Sequence, residues 1–422
     1  MNRLPQKCLA IVAGSIAFAS LRLSPRAVRA DAPPPVVDIW SFGRNNFVQL
    51  GNVPPNTTVP GPLHEARHWV AVSAGAGHTL ALTAEGDVFA WGSNASGQLG
   101  NGSTTDSALP VQVTGINGVT LVSAGGSHSL AYRASDGTLW GWGDNSAGNI
   151  GQPASVTSSP VPVPIAGAGP LAAIAAGGSH SLVLGTNGTL YAFGGNVRGQ
   201  LGLGDVAIHT TPTPVPLAGP AIAVAAGYAH SIAVTRDGQA WTWGWNVFGQ
   251  LGWGTQGQPM QANPAPAMAV GVAGVDQVTA GDFHSLARTA DGHVWAWGYN
   301  TEGQVGNGAM TPANTGVLTP VLLDGIDGVA KLDAGGIHTI ALRSNGEVWA
   351  WGNNQFGACG INARGNSRVP TQLFGALKAS DVSAGGYHSV VLSPAKPLAS
   401  VVQVGDPSSG MDGLSLPVVA DE

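Results

Sequence analysis

Seven histidines raise the first chemical possibility. The pattern Ala-Gly-x-x-His recurs at His78, His128, His180, His230, His284, His338 and His388, at intervals of 50, 52, 50, 54, 54 and 50 residues. An imidazole can ligate a metal or carry a proton near neutral pH. A group needed once for chemistry has no reason to return every 50 residues. An imidazole that hydrogen-bonds neighbouring backbone has every reason to. Seven copies spread around a ring are also too far apart to share one ion. The histidines are therefore read as structural, with no metal site. Gly-x-Ser-x-Gly, His-Glu-x-x-His, Gly-x-x-x-x-Gly-Lys and repeated Asp-rich calcium loops are all absent. No catalytic constellation and no cofactor follow from the sequence. The two cysteines, Cys8 and Cys359, make no disulfide framework. Cys359 takes a Leu position of the repeat and reads as core.

The elements that carry the histidines are legible. A second pattern, aromatic-x-aromatic-Gly-x-Asn, follows each histidine hairpin. Examples are Phe89-Ala-Trp91-Gly92-Ser-Asn94 and Trp295-Ala-Trp297-Gly298-Tyr-Asn300. Most copies run on into x-x-Gly-Gln-Leu-Gly. Between the patterns stand Glu85-Gly86, Asp136-Gly137, Asn187-Gly188, Asp237-Gly238, Asp291-Gly292 and Asn345-Gly346. Such pairs, flanked by apolar alternation, predict hairpins with type I′ turns, whose two central residues both need positive φ. A third strand precedes each Ala-Gly, and a fourth follows the Pro after each Gly-Gln-Leu-Gly. Four strands per repeat, repeated radially, predict an all-β, seven-bladed propeller of four-stranded antiparallel blades. The histidine pattern and the Trp-Gly pattern each count seven, but the turns count six. The unpaired Trp-Gly strand is N-terminal, at 36–43, and the unpaired histidine strand is C-terminal. One blade is thus expected to join both chain ends and close the ring.

These repeats resemble those of the regulator of chromosome condensation family over roughly residues 36–393. Departures are local: Val48 replaces a Gly, Asn149 a Gln, and Ala358-Cys359 a Gln-Leu. The resemblance implies a propeller that binds protein through one face. The family includes a secreted bacterial enzyme inhibitor, exchange factors for a nuclear GTPase, and a plant UV-B photoreceptor that uses Trp clusters.

The first 30 residues read as a signal peptide. A basic start is followed by an apolar run from residue 8 to 21, too short to span a bilayer comfortably. Cleavage is expected after Ala19 or Ala30. The propeller is then placed at 31–395 and a flexible tail at 396–422. No membrane span is expected after leader removal. Cleavage after Ala30 removes five basic residues and no acid, taking the formal charge from −6 to −11. Such a chain repels phosphate backbones, so nucleic acid is not an expected partner. The expected location is secreted or periplasmic, as a bacterial-type member of the family and as a monomer.

Function in a repeat array should lie where the copies differ. The two positions before each His and the one before each Asn share one face of the ring. The early blades hold small residues there. The later ones hold Tyr228, Asp282, Phe283, Ile337, Tyr387, Trp245 and Tyr299, and adjoining loops add Phe248 and Phe356. An aromatic, weakly charged patch suits a protein partner, whose identity the sequence does not give. The expected function is thus an exported, non-catalytic binding module. One alternative is a guanine-nucleotide exchange factor-like regulator, opposed by the leader and by the lack of a basic tail or long insertion. Another is a propeller hydrolase or lyase using Asp282 as acid. The two positions before each His hold no Trp and no Arg, which fits the photoreceptor poorly. Trp69 and Trp253 lie outside the patterns.

Overall fold

The computed structural model describes residues 37–51, 56–63, 67–375 and 377–394. The expected signal peptide, both cleavage positions and the tail 396–422 lie outside the described residues. The strands form seven four-stranded antiparallel sheets. Blade 1 comprises Trp69–Ala74, His78–Thr83, Val88–Gly92 and Ser107–Gln112, from the channel outwards. Blades 2 to 6 follow in the same order, with innermost strands beginning at Leu121, Leu171, Ala221, Val275 and Val329. Blade 7 joins the chain ends as expected. Val37–Gly43 lies between His388–Pro394 and Thr57–Pro62, and Trp40 pairs with Val391.

Apolar alternation explains the core. Each sheet buries both faces against its neighbours, so the core is seven wedges between blades. Leu80 and Val88 of blade 1 meet Ala131 and Trp142 of blade 2. At the closure, Ile39 and Leu392 of blade 7 meet Trp69 and Trp91 of blade 1. Trp69 is thereby placed: it opens the innermost strand, edge-on to Phe89 at 5.5 Å. Six of the outermost strands carry a proline, Pro60, Pro110, Pro160, Pro212, Pro320 and Pro370. A proline donates no hydrogen bond, so these edges resist pairing with further strands.

The hairpin turns differ from the expected type. Gly86 has a φ of 85°, but Glu85 is not among the residues of positive φ. The Gly86 amide donates to the Thr83 carbonyl, and the Thr83 amide to that of Asp87. This is a three-residue loop: a type I turn followed by one left-handed glycine. Blades 3 to 6 repeat it. Only the glycine of each pair is conformationally required.

Candidate functional site

The seven histidines are buried, and each Nε2 lies 2.9–3.0 Å from a Ser or Thr hydroxyl of the next blade. That hydroxyl donates its proton at 2.7–3.2 Å to a carbonyl in the histidine's own blade, such as Gln98 for Ser129. The hydroxyl has one proton to give, so Nε2–H must be the donor to it and Nδ1 holds the lone pair. The partner is therefore a neighbouring side chain, where the sequence pointed to backbone. Five indoles donate to the same carbonyls, Trp142 to Gln98 at 2.8 Å for example. Phe193 and Phe42 replace the indole in blades 3 and 7. His388 bonds Thr79 of blade 1, so the relay closes on itself. Burial pushes the imidazoles down to about 3 or about 4, and they stay neutral. No group of three metal-ligating side chains converges among the described residues.

The repeated Asn closes each loop. Its side-chain oxygen accepts the amide five residues on, as in Leu99 to Asn94 at 2.9 Å, in all seven blades. Cys359 is wholly buried, and burial raises its thiol pKa. It is an inert core residue.

Because His78 pairs with Gly92 and Leu82 with Val88, both variable loops of a blade lie on one face and its turn on the other. On the loop face, five of the expected residues form one cluster across blades 4 and 5. Phe283 is its centre. Around it stand Tyr228 at 5.9 Å, Trp245 at 5.6 Å, Phe248 at 5.5 Å and Tyr299 at 6.1 Å between ring centres. Phe248 and Tyr299 also touch, at 4.5 Å. Tyr228 is 53 % exposed while the others are half-buried. A second, separate group lies at blades 6 and 7, where Phe356 and Tyr387 meet at 5.8 Å and Arg44 stacks on both. Ile337 is half-buried in blade 6. Asp282 leans over Gly336 of blade 6. Its carboxylate has no partner among the described residues, and desolvation pushes it up to about 6.

Sequence reasoning missed the rest of the patch. Arg198 of blade 3 stacks on Trp245 at 5.2 Å and reaches the Met260 sulfur at 3.2 Å. Met260 is 74 % exposed and Val197 65 %. Met260 stands on the blade 4 loop 245–266, longer than its counterpart 93–106 in blade 1. The 54-residue interval from His230 to His284 was the available signal. Trp245 holds this loop by donating to the Pro259 carbonyl at 2.9 Å. Trp253 donates to Thr242 at 2.9 Å and belongs to the blade 4 scaffold.

With the ring and its face described, comparison with known proteins is decisive. Residues 157–415 match the RCC1-like domain, and residues 38–82 and 85–132 match the regulator of chromosome condensation (RCC1) repeat. The chain belongs to the RCC1 family. It is 31 % identical over 368 residues to the ultraviolet-B receptor UVR8 of Arabidopsis thaliana, covering 85 % of this chain and 70 % of that one. It is 30 % identical over 367 residues to the human E3 ubiquitin-protein ligase HERC2, covering 83 % of this chain but 8 % of the ligase. Among solved structures, human WBSCR16 aligns with a TM-score of 0.73 at 26 % identity, over 86 % of this chain and 99 % of that one. Prp20p of Saccharomyces cerevisiae, described with its binding to Gsp1p and histones, aligns with a TM-score of 0.74 at 23 % identity, over 86 % and 92 %. The RCC1 fold is thus shared with proteins of diverse roles, and this chain's own role must be argued from its face.

Proposed function

We propose that this RCC1-family propeller is an exported, non-catalytic binding module, a monomer that takes a protein partner on the loop face of blades 3 to 5. The observation that carries the reading is the Phe283 cluster. Five rings meet there, and two of them, Tyr228 and Phe283, stand at positions where blades 1 to 3 hold Gly, Ala or Ser before the histidine. The rings pack on one another, Trp245 holds the Met260 loop, and Tyr228 and Met260 present exposed apolar area. Such anchors dominate protein interfaces. The named ultraviolet-B receptor relative is consistent with a sensing or binding role. Export rests on the basic, apolar leader and the acidic remainder of the sequence. A hydrolase or lyase reading draws on Asp282 alone. Among the described residues, no second titratable group except the Tyr228 phenol stands with it at the channel mouth.

Affinity capture with the purified chain, followed by titration of the captured protein, tests this. Tyr228→Ala is expected to weaken binding about thirty-fold, the effect of losing a hot spot of ~2 kcal/mol. Asp237→Asn, on the turn face, is expected to leave it unchanged. Equal binding by the wild type and Tyr228→Ala, with the fold intact, would exclude this face.

A further inference from the structure

The channel mouth on the same face is a different kind of site from the aromatic cluster beside it. Its rim is formed by the residue after each Ala-Gly: Ala76, Gly126, Gly178, Tyr228, Asp282, Gly336 and Gly386. Five of the seven are glycine or alanine, and a Cβ on any of the four glycines would meet a backbone oxygen of the next blade, so the blades pack closely at the rim and present few side chains to the mouth. The rim is held rigid by backbone bonds between blades, from Ala76 to Gly125 at 3.1 Å through to Gly386 to Gly75 at 3.1 Å. Only two larger side chains overhang it. The Tyr228 ring lies by Gly178 of blade 3, and the Asp282 carboxylate lies over Gly336 of blade 6. Below the mouth the channel carries Asp333 and Lys331. Lys331 is paired with Asp381. Asp333 is satisfied by Ser383 at 2.8 Å, Thr279 at 3.2 Å and the Ala384 amide at 3.0 Å. Among the described residues of the mouth and channel, Asp282 therefore stands as the carboxylate without a partner, above a lysine that is already engaged.

We infer that the mouth receives one basic side chain, lysine or arginine, from the protein partner, with Asp282 as counter-ion and the Tyr228 ring as wall. This rests on the reading of the loop face as the partner-binding face. The charge matches: a cation in the mouth would meet a partly desolvated carboxylate, where a charge-assisted bond is strong. It would also meet the face of the Tyr228 ring, where the negative side of the aromatic quadrupole attracts cations. The mouth is a cavity of about 190 Å³, room for an extended alkyl stem. The attraction of the arriving cation offsets the desolvation that burdens Asp282 in the free chain.

The test uses the full chain and N-acetyl-lysine N-methylamide as probe, with the uncharged norleucine analogue as control. Binding is read from the amide resonances of Tyr228, Asp282 and Gly336. The lysine derivative is expected to shift all three, and added salt to weaken it. The norleucine derivative is expected to leave them in place. Asp282→Asn preserves shape and removes only the charge, and is expected to weaken the lysine derivative about ten-fold or more. Absence of shifts, equal shifts by norleucine, or unchanged affinity in Asp282→Asn would each overturn the inference. If Tyr228→Ala still abolishes capture of the partner while the lysine derivative is silent, the aromatic face stands and the cation site falls.

Discussion

At the scale of single residues, the histidine relay makes the propeller sensitive to acid. In the folded chain the seven imidazoles stay neutral down to about 3 or about 4. In the unfolded chain they take protons below about 6.5. The unfolded state thus binds more protons between those values, and stability falls as pH drops. Each histidine contributes up to about 1.4 kcal/mol of loss per pH unit. Thermal unfolding followed from pH 7 to pH 4 is expected to show a steep decline of the midpoint, beginning near 6.5. A flat profile to pH 4.5 would mean that the imidazoles are not held neutral. The hydroxyls of the relay are equally testable. Ser231→Ala removes the acceptor of His180 Nε2–H and one donor to the Gln200 carbonyl, which keeps Trp243. A loss of about 1–3 kcal/mol is expected, read as a lower denaturant midpoint at unchanged slope. The His positions were plain in the sequence. Their hydroxyl partners were not, because six stand 51–55 residues away in the next blade, Thr79 stands 309 residues from His388, and only the ring brings the pairs together.

At the scale of elements, blade 7 decides whether the ring closes. Val37–Gly43 supplies the middle of its sheet, places Ile39 in the wedge against blade 1, and places Phe42 in the wedge against blade 6. A chain beginning at residue 44 leaves His388–Pro394 unpaired on one side and opens both wedges. Its cooperative thermal transition is expected to broaden or disappear, whereas a chain beginning at residue 31 keeps it. Equal melting of the two would show that closure contributes nothing. Seven blades, the closing strand and the shared loop face were all legible in the repeat register. The turn type was not. Asp-Gly and Asn-Gly suit both type I′ turns and three-residue loops with a left-handed glycine, and strand register, set by long-range packing, chooses between them. The blade 4 loop 245–266 was hidden for a related reason. It shows in sequence only as a longer interval, and its contact with Arg198 of blade 3 crosses a blade boundary.

At the scale of the molecule, sevenfold repetition separates scaffold from function. The histidine, hydroxyl and asparagine positions do the same work in every blade and fix the ring. The rim and loop positions vary, and the large side chains fall together on neighbouring blades. Five of the nine residues singled out from sequence form one cluster, Phe356 and Tyr387 form a second with Arg44, Asp282 lines the channel mouth with Tyr228, and Ile337 is half-buried in blade 6. The division follows the blade order, which composition alone does not show. The central claim is that the cluster side of the loop face is where the partner sits. Hydrogen exchange by mass spectrometry, with and without the captured partner, tests it most directly. Slowed exchange is expected in peptides spanning 227–229, 245–249 and 281–283, with the turns at 84–87, 236–239 and 290–293 unchanged. Protection confined to the turns, with the three loop segments exchanging as in the free chain, would contradict it.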